Sequence, residues 1–130
     1  MTSDKSTQRW FIDLDWLEQH NRSFLALAQG CLCSKCTKKR KGGSEPISPA
    51  ELISSIEACC GKASDFISDS SPILESIFRL FLANGNQPLS PEELSKQLAK
   101  RRGGESHRTS VEILSRLLRD ERYYGLRQAP

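Results

Sequence analysis

The sequence predicts a mainly α-helical protein in two parts: a cysteine-rich helical module over residues 1–67, and a three-helix domain with a short C-terminal strand over residues 68–130. Three observations lead to this prediction. Serine or aspartate followed by glutamate three residues later, the pattern of a capped helix start, recurs along the chain. Apolar residues follow these starts at spacings of three and four, as on one face of a helix. All five cysteines lie in the first part.

The beginning of the chain contains an apolar block followed by a helical pattern. The block, residues 10–14, is expected to form a short strand or an extended arm that packs on the helix. The helix is predicted to begin at Asp15, which makes a capping-box pattern with Glu18, and to end at Gly30.

Later helix starts are marked by serine and proline. At residues 48–51 a serine stands at the N-cap, a proline at the first helical position and a glutamate at the third. Gly61 is expected to end this helix. In the second part, the helix over residues 72–83 is apolar around much of its circumference and should be the central buried helix. Further helices are predicted over residues 90–100 and 109–119, followed by a short strand over residues 123–127.

The cysteine spacing indicates a metal site. Cys33 and Cys36 are separated by two residues, the spacing with which a sharp turn presents two thiolates to one tetrahedral ion. In a reducing compartment, clustered cysteines bind metal more often than they form disulfides. We therefore predict a structural Zn²⁺ ion bound by four of five candidate ligands, which are Cys31, Cys33, Cys36, Cys59 and Cys60.

Several points about this site are open at the level of sequence. Helical periodicity does not choose between Cys59 and Cys60, and either Cys31 or His20 could be the remaining ligand. Ordinary buried cysteines, an iron–sulfur cluster and a thiol redox switch are the alternatives to zinc. A catalytic zinc is not expected, because the pattern offers neither an open ligand position nor a nearby acidic residue to act as base.

The second part resembles a winged helix-turn-helix domain. Its predicted order over residues 71–127 is a helix, a turn with Pro88-Leu89, a helix from Ser90, a loop, a helix from Thr109 and a strand. In that family the third helix is the recognition helix, and the strands after it form the wing. The resemblance therefore implies that the helix over residues 109–119 reads DNA. The exposed candidates on and beside it are Arg108, Ser110, Ser115, Arg116 and Arg119.

Two basic segments are candidates for contact with nucleic-acid phosphates. One follows the first cysteines and the other precedes the implied recognition helix, and each contains a Gly-Gly pair that would let the backbone approach a duplex. Tyr123 and Tyr124 could stack on bases, although packing of a terminal strand is the more common role. The candidate nucleic-acid-binding residues are Lys38, Lys39, Arg40, Arg101, Arg102, Arg108, Arg116 and Arg119.

The predicted function is that of a zinc-stabilised nucleic-acid-binding protein, a small DNA-binding regulator related to transcription. One alternative is a protein-interaction module or accessory subunit, in which Trp10, Phe11 and Trp16 form the surface for a partner or for a homodimer. Another is a thiol or metal sensor. Salt-dependent binding to a duplex would separate the first function from the second.

No pattern in the sequence indicates an enzyme. There is no Ser-His-Asp order, inward carboxylate pair, phosphate-binding loop or metalloprotease helix, and we expect no small-molecule substrate. No apolar run reaches about 18 residues, and the chain begins with a polar stretch, so neither a membrane span nor a signal peptide is expected. A cytoplasmic location follows as an expectation. The segment from about Ser68 onward is expected to fold without the metal.

Overall fold

The computed structural model describes residues 8–31, 48–63, 66–67, 72–101 and 110–129, and it is mainly α-helical, as the sequence predicts. None of the helices in these ranges combines the length and the apolar character that crossing a bilayer requires. In chain order the elements are strand β1 (Trp10–Ile12), helices α1 (Leu14–Gln19), α2 (Phe24–Gln29) and α3 (Pro49–Ala58), a 3₁₀ turn (Cys60–Lys62), helices α4 (Ile73–Ala83), α5 (Pro91–Arg101) and α6 (Val111–Asp120), and strand β2 (Leu126–Gln128).

Two short helices, α1 and α2, occupy the segment in which the sequence predicts one. Asp13 is the N-cap of α1, where its side chain accepts a hydrogen bond from the backbone N–H of Trp16 (3.1 Å). The chain turns at Asn21, which has a φ of 57°, and Ser23 then caps α2. The prediction of one helix from Asp15 is wrong because Ser23 offers a second N-cap and asparagine tolerates left-handed backbone better than most residues.

The other predicted helix starts are confirmed by their capping contacts. In α3, Ser48 and Glu51 make both hydrogen bonds of the capping box. In α5, the backbone N–H of Ser90 donates to the Glu93 carboxylate (2.9 Å), and the N–H of Glu93 donates to the Ser90 hydroxyl (3.2 Å). The Ser110 hydroxyl caps α6. Each serine satisfies an N–H group that the first helical turn leaves unpaired.

The two ends of the described chain meet in a small sheet, in which β1 pairs antiparallel with β2. The other edge of β1 is occupied as well. Trp10 and Leu89 exchange two backbone hydrogen bonds (2.8 and 3.0 Å). The Asn86 side-chain amide bonds both the N–H and the C=O of Ile12 (2.9 and 3.0 Å). Contacts from two distant parts of the sequence, β2 and the loop over residues 86–89, therefore fix β1 in place.

Helix α4 lies in the core, as its apolar circumference predicts, and its Ile77 and Phe81 are fully buried. Every described helix and strand contributes to the same apolar cluster, from Ile12 of β1 to Leu126 of β2. Residues on both sides of the predicted boundary between positions 67 and 68 thus share one core. This packing positions the candidate site, because it brings the ends of α2, α3 and α5 to neighbouring parts of the surface.

Candidate metal centre and nucleic-acid interface

The described cysteines lie at the ends of two helices that contact each other, α2 and α3. Cys31 follows α2 and is 7% exposed, and Cys60, in the 3₁₀ turn after α3, is 1% exposed. Cys59 is half-buried at the C-cap of α3. The two remaining predicted ligands, Cys33 and Cys36, lie outside the described residues.

Burial raises the pKa of the Cys31 thiol to about 11, which the charge of Arg79 partly offsets. Glu75 and the thiol of Cys60 raise this pKa further. The Cys60 thiol is therefore near enough to Cys31 to act on it electrostatically, so the fold brings together one member of each cysteine group. A thiol with this pKa is protonated at neutral pH and is a weak nucleophile, and a metal ion that binds it must displace the proton.

Within the described ranges, no group of three or more histidine, cysteine or acidic side chains is placed to hold a metal ion. His20, the alternative ligand, lies at the C-cap of α1. Its Nδ1 is 2.8 Å from the carbonyl oxygen of Trp16, and its ring stacks on the Trp16 indole with 4.0 Å between ring centres. Both contacts of the His20 ring are thus with Trp16, four positions earlier in the chain. The four-ligand zinc site stays a prediction.

One of the basic residues predicted to bind nucleic acid, Arg101, makes a hydrogen bond within the protein. Its guanidinium donates a hydrogen bond to the carbonyl oxygen of Gly61 (2.9 Å) and so joins the end of α5 to the 3₁₀ turn. This turn also contains Cys60, whose thiol acts electrostatically on Cys31. The segment over residues 32–47 follows Cys31, and the segment over residues 102–109 follows Arg101. Lys38, Lys39, Arg40, Arg102 and Arg108 lie in these segments, outside the described residues.

The described part of the chain is electrically balanced. It contains eleven of the 19 basic residues and eleven of the 16 acidic residues. All of the net charge of +3 is therefore carried by the other segments. The segment over residues 32–47 alone has a net charge of +4, because it holds five basic residues and one acidic residue.

The outer face of α6, the implied recognition helix, is balanced too. Arg116 and Arg119 are exposed, as predicted, but so are Glu112 and Asp120. A groove between this face and the start of α5 is lined by Pro91, Glu92, Val111, Glu112, Ser115, Arg116 and Arg119. Val111 is 38% exposed, which is high for an aliphatic side chain. This face offers no surplus of positive charge to a phosphate backbone.

The structure also reveals a cluster that the sequence does not predict, in which arginines lie over aromatic rings. Arg22 lies over the ring of Tyr123, and Arg127 lies over the ring of Trp16. The paired residues are about a hundred positions apart, so no local signal connects them. Of the residues predicted to form a docking surface, Trp10, Phe11 and Trp16 are each half-buried, the first two of them in β1.

No protein-family model, curated protein or solved structure matches this chain. Its function is therefore inferred from its own residues and their contacts.

Proposed function

We propose that the protein binds nucleic acid as a small DNA-binding regulator of transcription, and that a structural zinc ion anchors its basic segments. The observation that carries the proposal is the placement of the charge. The described part has no net charge, whereas the segments over residues 32–47 and 102–109 carry net charges of +4 and +1. Lysines and arginines concentrated in two segments of an otherwise neutral chain suit contact with phosphates.

The described candidate ligands of the proposed zinc site lie at the ends of α2 and α3. The Cys60 thiol acts electrostatically on Cys31, and Cys33 and Cys36 follow Cys31 within five positions of the chain. The burial of Cys60 beside Cys31 favours it over the half-buried Cys59 as the fourth ligand. A tetrahedral site with four thiolates would be closed and structural.

The first test of the proposal is the zinc content of the protein. We expect about one zinc ion per chain by elemental analysis, and we expect Cys33→Ser and Cys60→Ala to lose it because each removes one of four ligands. Cys59→Ala is the matched control and should keep the metal. A Cys33→Ser protein with full zinc content would contradict the site.

The order of α4, α5, α6 and β2 supports the proposed relation to winged helix-turn-helix domains, with one difference. In that family the strands after the third helix form the wing, whereas here β2 pairs with β1 from the other end of the chain. Because the charge on α6 is balanced, we propose that the basic segments make the phosphate contacts and that Arg116 and Arg119 contact base edges.

The second test is salt-dependent binding to a generic DNA duplex. We expect Lys38→Ala, Lys39→Ala and Arg40→Ala, combined in one variant, to weaken binding to all duplexes about equally, because phosphate contacts carry affinity without sequence information. The slope of log affinity against log salt should fall by about 0.9 for each contact removed. Lys96→Ala, an exposed change on α5, is the control. No binding by the unchanged protein at about 10⁻⁴ M in low salt would contradict the proposal.

A second candidate function is protein docking at the groove between α5 and α6. Val111 and Ile113 are 38% and 37% exposed at the start of α6, beside charges of both signs. Apolar groups with a balanced rim are typical of contacts between proteins. Failure of both nucleic-acid tests, together with self-association that Val111→Lys abolishes in analytical ultracentrifugation, would favour this function in the form of a homodimer.

A further inference from the structure

The turn between α6 and β2 carries an exposed group of cations and rings, which we call the arginine–aromatic patch. It consists of Arg22, Arg122, Arg127, Trp16 and Tyr123. The guanidinium carbon of Arg22 is 4.6 Å from the centre of the Tyr123 ring, and that of Arg127 is 5.4 Å from the centre of the Trp16 ring. Both distances lie within the range of a cation–π contact.

Two of the patch arginines meet at one atom. Arg122 and Arg127 each donate a hydrogen bond to the carbonyl oxygen of Glu121, at 2.8 and 3.3 Å. Their guanidinium groups are therefore adjacent, although Arg122 lies in the turn and Arg127 lies in β2. A shared carbonyl oxygen leaves most of the five N–H donors of each guanidinium available to another acceptor.

The positive charge of the patch is not neutralised by its neighbours. Where ion pairs occur among the described residues, they join Arg9 with Glu93 and Arg79 with Glu75, and no described carboxylate lies within ion-pair distance of the three patch arginines. The nearest acidic residue in the chain, Glu121, is 3% exposed, and its carboxylate is turned inward to backbone N–H groups. The turn thus presents cations outward while it keeps its one carboxylate inside.

Tyr123 is the aromatic residue of the patch that is open to solvent. Its side chain is 49% exposed, whereas the neighbouring Tyr124 is half-buried against Phe78, with 5.0 Å between ring centres. Of the two tyrosines, Tyr124 therefore has the packing role expected at a terminal strand. Tyr123, with about half of its side chain exposed, adds little buried apolar surface to the core.

The patch adjoins the start of the more basic segment. A cavity between α2, α4 and the turn has Tyr123, Tyr124, Gly30 and Cys31 in its lining, together with Glu75 and Arg79. The segment over residues 32–47, which carries five basic residues, begins directly after Cys31.

We infer that the arginine–aromatic patch binds single-stranded nucleic acid, with a base in place of the Arg22 guanidinium over the ring of Tyr123 and phosphates bound by Arg22, Arg122 and Arg127. Open aromatic rings combined with a cationic surface are the features by which proteins bind single strands. In a duplex the base faces are stacked inside the helix and cannot reach a tyrosine ring. The inference rests on the proposed nucleic-acid binding, and it specifies a strand type and a surface that the proposal does not.

The test measures the fluorescence anisotropy of a labelled 12-nucleotide thymidine strand, and of the corresponding thymidine–adenine duplex, with the full chain in low salt. We expect tighter binding of the single strand. Tyr123→Ala should weaken single-strand binding about tenfold, since stacking on an aromatic side chain contributes about 1–3 kcal/mol per base, while Tyr123→Phe should retain it. Arg22→Ala should weaken binding and flatten the salt slope by about 0.7, the value for one phosphate contact on a single strand.

The outcomes separate this inference from the proposed function. Lys96→Ala is the control for charge, and circular-dichroism melting checks that each variant folds. If both Tyr123→Ala and Arg22→Ala left the single-strand affinity unchanged, the inference that the patch binds single strands would be wrong. Loss of duplex binding in the Lys38, Lys39 and Arg40 variant would still support the proposal that the basic segments bind phosphates. Binding of neither strand type by the unchanged protein would overturn both.

Discussion

At the scale of single residues, Glu121 holds the turn that carries the patch. Its carboxylate accepts hydrogen bonds from the backbone N–H groups of Tyr123, Tyr124 and Leu126, the last at 2.8 Å. Three converging N–H groups are a complete set of partners for a buried anion, which would be costly to bury without them. Glu121 thereby shapes the chain from the end of α6 to the start of β2.

We expect Glu121→Gln to lower the free energy of unfolding by about 1–3 kcal/mol, because the neutral amide weakens the hydrogen bonds and turns an N–H₂ donor toward other donors. Urea denaturation followed by circular dichroism measures the effect. Asp120→Asn, an exposed change one position away, is the matched control and should alter stability by less than about 0.5 kcal/mol. An unchanged urea midpoint for Glu121→Gln would show that the turn does not need the charge.

At the scale of elements, the capping box of α5 makes the stability of the protein depend on pH, and Arg9 contributes to this effect. The hydrogen bond from the Ser90 backbone N–H holds the pKa of Glu93 below its ordinary value, and Arg9 adds to this with its guanidinium 3.7 Å from the carboxylate. Because the folded state lowers this pKa, the ionised Glu93 stabilises the fold above the ordinary pKa of glutamate. The contribution is lost as the pH falls through the lowered value.

We therefore expect Glu93→Gln to destabilise the protein at pH 7 and to have little effect once the pH is well below about 4.3, the ordinary pKa of glutamate. Urea midpoints of the variant and of the unchanged protein at both pH values give the comparison. Ser95→Ala, a neutral change in the same helix, should shift the two midpoints by equal amounts. If Glu93→Gln lowered the urea midpoint by the same amount at both pH values, the electrostatic explanation would be wrong.

At the scale of the whole molecule, residues on the two sides of positions 67 and 68 pack against each other. The ring of Phe24 lies 6.2 Å from that of Phe78, β1 pairs with β2, and a Cβ added at Gly61 would lie 2.8 Å from the Cβ of Ala83. The contact at Gly61 leaves no room for a side chain, so α4 packs directly on the backbone of the 3₁₀ turn. From these contacts we propose that the second part needs the first for a cooperative fold, and a fragment tests this against the expectation that the second part folds alone.

We expect the fragment over residues 68–130 to unfold over a broad, non-cooperative urea transition, whereas the full chain unfolds cooperatively. The fragment lacks β1 and exposes the apolar side chains that α2 and α3 cover in the full chain. In the full chain, Ile12→Ala should cost about 2–5 kcal/mol, the usual range for truncating a fully buried isoleucine. A fragment that unfolds as sharply as the full chain would instead support two independent domains.

The sequence by itself determined the helical class and most of the helix starts. A capping box is made by residues three positions apart, such as Ser48 and Glu51 or Ser90 and Glu93, so its evidence is complete within one turn. The apolar circumference of α4 predicts its burial for the same reason. The start of α1 was misplaced because Asp13 and Asp15 are both adequate caps, and local chemistry does not rank them.

Only the tertiary structure decided which distant groups meet. Ile12 bonds Asn86 across 74 positions, and Arg101 bonds Gly61 across 40. Any of the asparagines or arginines could make such contacts, and the choice depends on how all the helices pack at once. The arginine–aromatic patch and the neighbouring Cys31 and Cys60 are products of that packing, which is why the sequence predicts their chemistry but not their arrangement.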